Sequence, residues 1–201
     1  MIQEELPDYR LVMRIITGKA RGLHLNVPKN YDVRPTADRV KESLFNIIGF
    51  RIQGAAVLDL FAGSGNLGLE SWSRGASRVE FSDKNRISLQ LVESNIKKCR
   101  AEGECRVNRC DAESAISRFY KAGDKFDFIF IDPPYNKGWI AKVLKKLETM
   151  PILSDGGWII VEHSAHEPVE GLVPSGYELF RSQKYGETFL AFLKKEVPAG
   201  E

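Results

Sequence analysis

Phe126-Asp127-Phe128-Ile129-Phe130-Ile131-Asp132-Pro133-Pro134-Tyr135 is the stretch on which the fold turns. Its first six residues, apolar except for Asp127, make a run of strand length that reads as a buried β-strand. The strand carries an acid, two prolines and an aromatic ring to a sheet's carboxyl edge, where ligands bind in open α/β folds. Successive prolines fix φ and remove two N–H donors, so the backbone at Pro133 offers a carbonyl with no donor beside it. Asp132 adds further acceptors, and Tyr135 offers a face on which a planar ring can stack. A set of acceptors suits a ligand bearing N–H groups, and an amino group on a flat base meets both conditions. The plain alternative is a loop whose Asp132 caps the next helix and whose prolines stop the strand.

Outward from this strand the chain alternates. Strands are expected at Ala56 to Leu60, Arg78 to Ser82, Cys105 to Arg109 and Gly157 to Glu162. Helices are expected through about Arg74, from Asn85 to Ala101, from Ala112 to Lys121 and from Trp139 to Thr149. Such alternation predicts an α/β fold, a mostly parallel sheet covered on both faces. The end differs: Tyr177 to Lys184 and Thr188 to Lys194, joined by Tyr185-Gly186-Glu187, read as an antiparallel hairpin.

Leu58-Asp59-Leu60-Phe61-Ala62-Gly63-Ser64-Gly65-Asn66-Leu67-Gly68 follows the first of these strands. Gly63, Gly65 and Gly68 match G-x-G-x-x-G in a strand–turn–helix context, which taken alone suggests NAD and an oxidoreductase. Asp59 opposes that reading, because a carboxylate beside the loop repels a pyrophosphate and suits an ammonium group. Asp83 also arrives earlier than the dinucleotide fingerprint requires. Asp83 is placed to take two ribose hydroxyls, with Glu80 a weaker candidate, and Asp111 to accept from an adenine amino group. Each acid could instead cap a helix. Asp59, Asp83, Asp111 and Asp132 nevertheless follow four successive strands, and one nucleoside-like ligand along the edge explains them together.

At 201 residues the chain fits one domain with a small appendage. No apolar run is long enough to cross a bilayer, and the acidic start Met1 to Asp8 lacks the apolar core of a secretory signal. Cys99, Cys105 and Cys110 fit neither a disulfide framework nor a zinc site, and the three histidines show no metal-ligand spacing, so a reduced cytoplasmic setting and no metal are expected. Residues 1–12 are expected to be a flexible extension, with Met13 the natural start. Arg14 to Thr17 and Leu23 to Val27 predict a hairpin, followed by a helix with Thr36 as N-cap and an apolar stripe of Val40, Leu44, Ile47 and Ile48. From Arg14 to Lys41 seven basic residues face two acids, although the whole chain carries only +2. That concentration is the footprint of an anionic partner such as RNA, or else a solvated charged face.

Several motifs resemble a known family. Asp59 to Gly68 looks like the loop that binds S-adenosyl-L-methionine (AdoMet) in class I methyltransferases, and Asp132-Pro133-Pro134-Tyr135 looks like the motif of amino-methyltransferases acting on bases. Arg14 to Gly22 and Arg34 to Asn46 are similar to the RsmD family of bacterial enzymes that methylate guanine N2 in 16S ribosomal RNA. The resemblance runs from Met13 to about Lys195; the acidic leader and Asn66 in the glycine loop depart from it. It implies a Rossmann-like class I methyltransferase fold with a seven-stranded sheet, divided into an RNA-binding module over 13–50 and a methyltransferase domain over 51–197. It implies AdoMet held by Asp59, Phe61, Ala62, Gly63, Ser64, Gly65, Gly68, Asp83, Lys84, Asp111 and Ala112. Catalysis falls to Asp132, Pro133, Pro134 and Tyr135, and RNA contacts to Arg14, Lys19, Arg21, Arg34, Thr36 and Arg39. The expected partner is 16S rRNA in a small ribosomal subunit or its precursor, met by a monomer. An adenine-N6 methyltransferase remains the nearest rival, since the same loop serves adenine; a non-catalytic RNA-binding domain is a further one.

Overall fold

β1 (Ala56–Asp59), β2 (Arg78–Asp83), β3 (Cys105–Arg109), β4 (Phe126–Ile131), β5 (Leu153–Ser164), β6 (Tyr177–Tyr185) and β7 (Thr188–Lys195) form one sheet in the order β3-β2-β1-β4-β5-β7-β6. The structure is a computed structural model that describes residues 13–27 and 35–196, without the side chains of residues 35–37. The leader and Arg34 thus lie outside the described residues, as does the Thr36 side chain. β1 to β5 run parallel, and β7 lies antiparallel between β5 and β6. The strand order reverses between β1 and β4, so the crevice expected at such a switch point opens between Asp59 and Asp132.

Helices cover both faces. α1 (Pro35–Ile48), α2 (Asn66–Ser73) and α3 (Arg86–Cys99) pack on one side; α4 (Ala112–Ala122) and α5 (Trp139–Thr149) pack on the other. β4 explains the division. Phe128 and Phe130 belong to the first cluster and Ile129 and Ile131 to the second, the period-two alternation of a strand buried on both faces. Among the described residues no helix is long and apolar enough to cross a membrane. All three cysteines are free, and burial pushes the Cys99 thiol to about 11 and the Cys105 thiol to about 12.

Three boundaries differ from expectation. β5 begins at Leu153 and not at Gly157, because Asp155-Gly156-Gly157 is an irregularity inside the strand. Gly156 sits at φ +73° and the register slips between Phe126 and Phe128, as at a β-bulge. A Cβ on Gly157 would lie 2.9 Å from the Asp127 carbonyl oxygen, so the glycine permits close strand approach. The front hairpin is joined by a single bridge, Arg14 to His24, with Ile15 N–H donating to Leu23 O at 2.9 Å and Leu25 N–H to Met13 O at 2.8 Å. α1 starts at Pro35, which places Thr36 in the first turn and not before it, and its buried stripe includes Phe45, whereas Ile47 is only partly covered.

The front segment shares the first cluster with the sheet through Met13, Ile15, Leu25, Val40, Leu44, Phe45 and Ile48. A buried carboxylate fastens it. Glu70 on α2 accepts from Ile16 N–H (2.7 Å), Thr17 N–H (3.0 Å) and Arg74 Nε (2.7 Å), with Lys41 Nζ 3.6 Å away. Lys41 Nζ also donates to Arg14 O and Asn66 Oδ1, both at 2.6 Å. Lys41 therefore leaves the basic surface to which composition assigned it: at 2% exposure its charge serves the interior.

Candidate active site

The carboxyl ends of β1, β2, β4 and β5 each present an acid to the crevice. Val57, Phe81, Phe128, Phe130 and Ile160 all belong to the cluster under α1 to α3, so Asp59, Asp83, Asp132 and Glu162, each an even number of residues further along its strand, face that same side.

Asp59 lies under the glycine loop and accepts from Gly68 N–H at 3.2 Å. Burial raises its pKa to about 7; N–H groups of Gly68 and Phe61 oppose the shift and the Asp83 charge adds to it. Gly68 is required by packing: a Cβ there would sit 2.2 Å from Phe81 Cε1. Asp83 accepts from Gly63 N–H at 3.1 Å and Asn85 N–H at 2.8 Å, which ties the loop to the end of β2. A carboxylate accepts about four hydrogen bonds, so both acids keep capacity for a ligand. Ala62 is buried, and Ser64 is held at both ends, its hydroxyl on Met13 Sδ and its carbonyl accepting from Asn95 Nδ2 at 2.8 Å. Gly65, in the left-handed region, precedes the first turn of α2.

Phe61 packs edge-on against Trp139 with ring centroids 6.2 Å apart, and Lys84 Nζ lies 5.0 Å over the same indole. Trp139 is a residue that sequence reading used only to start a helix. Asp111 caps α4: its oxygens accept from Ser114 N–H and Ser114 Oγ, both at 2.9 Å, and the backbone bond holds its pKa below the usual range. The capping alternative is thus realised at Asp111, with Ala112 buried behind it. Glu80 falls on the opposite face, where Arg78 Nε and Asn108 Nδ2 donate to it at 3.1 and 2.8 Å, so it belongs to a buried structural network.

The Asp132 loop is braced from outside. Glu167 accepts from Asn136 N–H at 2.9 Å and Gly138 N–H at 3.0 Å, and Ser164 Oγ bonds Asn136 Oδ1 at 3.1 Å. Pro133 is buried, while Pro134 and Tyr135 are exposed. Ile131 pairs with Val161, so Asp132, just past the end of β4, stands beside Glu162 near the end of β5. The Tyr135 hydroxyl donates to Glu162 Oε1 at 2.7 Å and lies 3.4 Å from Thr188 Oγ1. Burial, then the charges of Glu162 and Asp59, hold the Asp132 pKa well above the usual carboxylate range. Burial also raises Glu162, against the Tyr135 hydroxyl and His163, which favour its charged form. Burial and Glu162 raise the Tyr135 phenol, which therefore stays a neutral donor. Glu162 is the residue that sequence reading missed; its signal was a fifth acid at a strand end.

The basic residues divide between two ends. Arg14 is exposed beside Asp38, 3.5 Å away, and its carbonyl meets the Lys41 that reaches Asn66 at the start of α2. Arg39 follows on the same end of α1 and is exposed. Lys19 N–H instead bonds Ser73 O at 2.8 Å, at the end of α2, while its Nζ lies over Trp72 and 3.4 Å from Glu104 before β3. Lys19, and Arg21 in the same turn, therefore sit toward the sheet's amino edge, away from Asp132.

The family model described as "Conserved hypothetical protein 95" matches residues 13–194. Ribosomal RNA small subunit methyltransferase D of Escherichia coli K12 is 35% identical over 190 residues, covering 92% of this chain and 91% of that protein. The chain belongs to the RsmD family. Another relative, the protein of the same name from Haemophilus influenzae, is 31% identical over 187 residues, 90% of this chain and 93% of that one. Among solved structures, a hypothetical protein of Thermus thermophilus superposes with a TM-score of 0.78 at 28% identity, covering 91% of this chain and 99% of that one. The T. thermophilus 16S rRNA N2 G1207 methyltransferase RsmC, in complex with AdoMet and guanosine, gives 0.70 at 21% identity over 92% of this chain and 50% of that one. RsmD-family membership and these superpositions establish the class I methyltransferase fold.

Proposed function

We propose that this protein transfers a methyl group from AdoMet to the exocyclic N2 amine of a guanine in 16S ribosomal RNA. The observation that carries the reading is the placement of the Asp132–Tyr135 acceptor loop across the switch-point crevice from the β1 glycine loop. The names of its RsmD-family relatives support the rRNA substrate. Asp59, Asp83 and the Phe61–Gly68 loop fit AdoMet. Asp59 is a buried acid with no cation among the causes of its shift, which an ammonium would supply. A Cβ on Gly63 would meet nothing closer than Phe61 O at 3.9 Å, so the loop has open space beside it. Asp83 would take the ribose hydroxyls, and Phe61, Lys84, Asp111 and Ala112 would wall the adenine. When bound, AdoMet supplies an electrophilic methyl group.

The remaining work belongs to the chain. An aryl amine is a poor nucleophile because its lone pair is delocalised into the ring. Asp132 and the Pro133 carbonyl accept its N–H groups and turn the lone pair toward the methyl, so orientation supplies much of the rate. These acceptors stabilise the positive charge that develops on nitrogen, and Asp132, with its raised proton affinity, is suited to take the proton the amine must lose. Tyr135 stacks on the base, as unpaired RNA bases are commonly held. Arg14 and Arg39 contact phosphate near the crevice, on rRNA within a small subunit or its precursor, and the protein acts as a cytoplasmic monomer.

The test is Asp132→Ala, assayed with tritium-labelled AdoMet on small-subunit particles from cells lacking the enzyme. Transfer is expected to fall by at least ~100-fold with AdoMet affinity retained in calorimetry. Undiminished turnover would remove Asp132 from the mechanism, and nucleoside digestion of the product distinguishes guanine from adenine.

A further inference from the structure

We infer that Glu162 is the residue that selects guanine over adenine, by accepting the base's N1–H while Asp132 and Pro133 hold the neighbouring amine. The inference deepens the proposed guanine-N2 reaction and rests on it. The Asp132 loop alone does not distinguish the two purines, since each offers an exocyclic amine. The purines differ at the ring position next to that amine. Guanine carries an N–H donor there, and adenine an unprotonated nitrogen with a lone pair. A second acceptor placed laterally to Asp132 therefore welcomes guanine and repels adenine.

Glu162 holds that place. The Ile131–Val161 pairing sets it beside Asp132 on the adjacent strand, and strands in a sheet lie about 4.8 Å apart, the scale of a purine edge. The Tyr135 hydroxyl donates to Oε1 and so fixes the carboxylate in its acceptor role; Oε2 has no hydrogen-bond partner among the described residues. The Asp132 carboxylate likewise has none. Two half-buried carboxylates with open oxygens, side by side and with no Lys or Arg paired to either among the described residues, are costly without a ligand. The contiguous N1–H and N2–H groups of guanine satisfy both. A site built around such donors rejects an analogue lacking one far more strongly than an apolar pocket can.

The discriminating substrate is 2,6-diaminopurine, which keeps the N2 amine but has a lone pair at N1. RNA carrying either guanine or 2,6-diaminopurine at the mapped target position, made by ligation, is assayed for kcat/KM with wild type, Glu162→Gln and Tyr135→Phe. Wild type is expected to favour guanine by at least ~100-fold. Glu162→Gln, whose amide can also donate, is expected to bring that ratio within ~10-fold while AdoMet affinity in calorimetry stays unchanged. Tyr135→Phe keeps the carboxylate and is expected to keep the ratio. If Glu162→Gln preserves the wild-type ratio, the inference fails and the guanine-N2 reaction stands. If Tyr135→Phe and Glu162→Gln lose it equally, Glu162 acts only by positioning Tyr135 and the inference also fails. If wild type methylates no guanine in either RNA, it is the proposed function that fails.

Discussion

Asp59 carries a carboxyl into the interior beneath the glycine loop, where burial raises its pKa from 3.8 to about 7. The folded protein thus binds this proton more tightly than the unfolded chain does. Between about pH 4 and 7 the folded state holds more protons, so stability falls as pH rises through that window and levels off above it. Asp132 and Glu162 are shifted in the same direction and add to the slope. Asp59→Asn keeps an acceptor for Gly68 N–H and removes the charge. Urea unfolding of the ligand-free protein is expected to show a shallower pH dependence, with the variant more stable than wild type at pH 8 by at most ~4 kcal/mol. Equal slopes for the two proteins would show that Asp59 ionises freely.

At the scale of elements, α2 is held from both sides. Against β2 there is no room for a side chain at Gly68, whose Cβ would overlap Phe81 Cε1 at 2.2 Å. Gly68→Ala is expected to cost ~1–3 kcal/mol, part of which Phe81→Leu returns, and a double-mutant cycle by urea denaturation measures the coupling. Against the front hairpin, Glu70 satisfies two backbone N–H groups, Arg74 and Lys41 at once. Glu70→Ala strands a buried ammonium and is expected to destabilise by ~3–5 kcal/mol, read as a lower urea midpoint. A smaller loss than for an exposed surface substitution would mean that the Lys41 charge is already relieved elsewhere.

Over the whole molecule, the front segment runs along α2 from the carboxyl edge to the amino edge, from Met13 at Ser64 to Lys19 at Ser73. Its positive charge is therefore divided. Arg14 and Arg39 lie at the crevice end, and Lys19, occupied by Trp72 and Glu104, lies at the other. Charge reversal at Arg14 and Arg39 is expected to weaken RNA binding and flatten its dependence on salt, each lost phosphate contact reducing the logarithmic slope by about 1. Lys19→Glu is expected to leave the slope unchanged. Filter binding across a salt series reads both, and equal effects would mean that RNA wraps both edges.

Much of this was legible from the chain itself. β4 was readable because a strand buried on both faces is apolar along nearly all its length, here everywhere but Asp127, and Asp132-Pro133-Pro134-Tyr135 because prolines and an acid declare their backbone chemistry locally. The acids at successive strand ends followed from strand–helix alternation, which makes the sheet parallel and gives it one carboxyl edge. The lateral neighbours were not legible. Glu162 meets Asp132 only because β5 pairs with β4 in one register, and Lys41 loses its place on the basic surface only because α1 folds over Glu70. Local residue types determined the sheet, the glycine loop and the acceptor loop. Packing between distant segments decided which carboxylates share the crevice and which cations remain outside it, because pairing register and burial are properties of contacts that no single stretch contains.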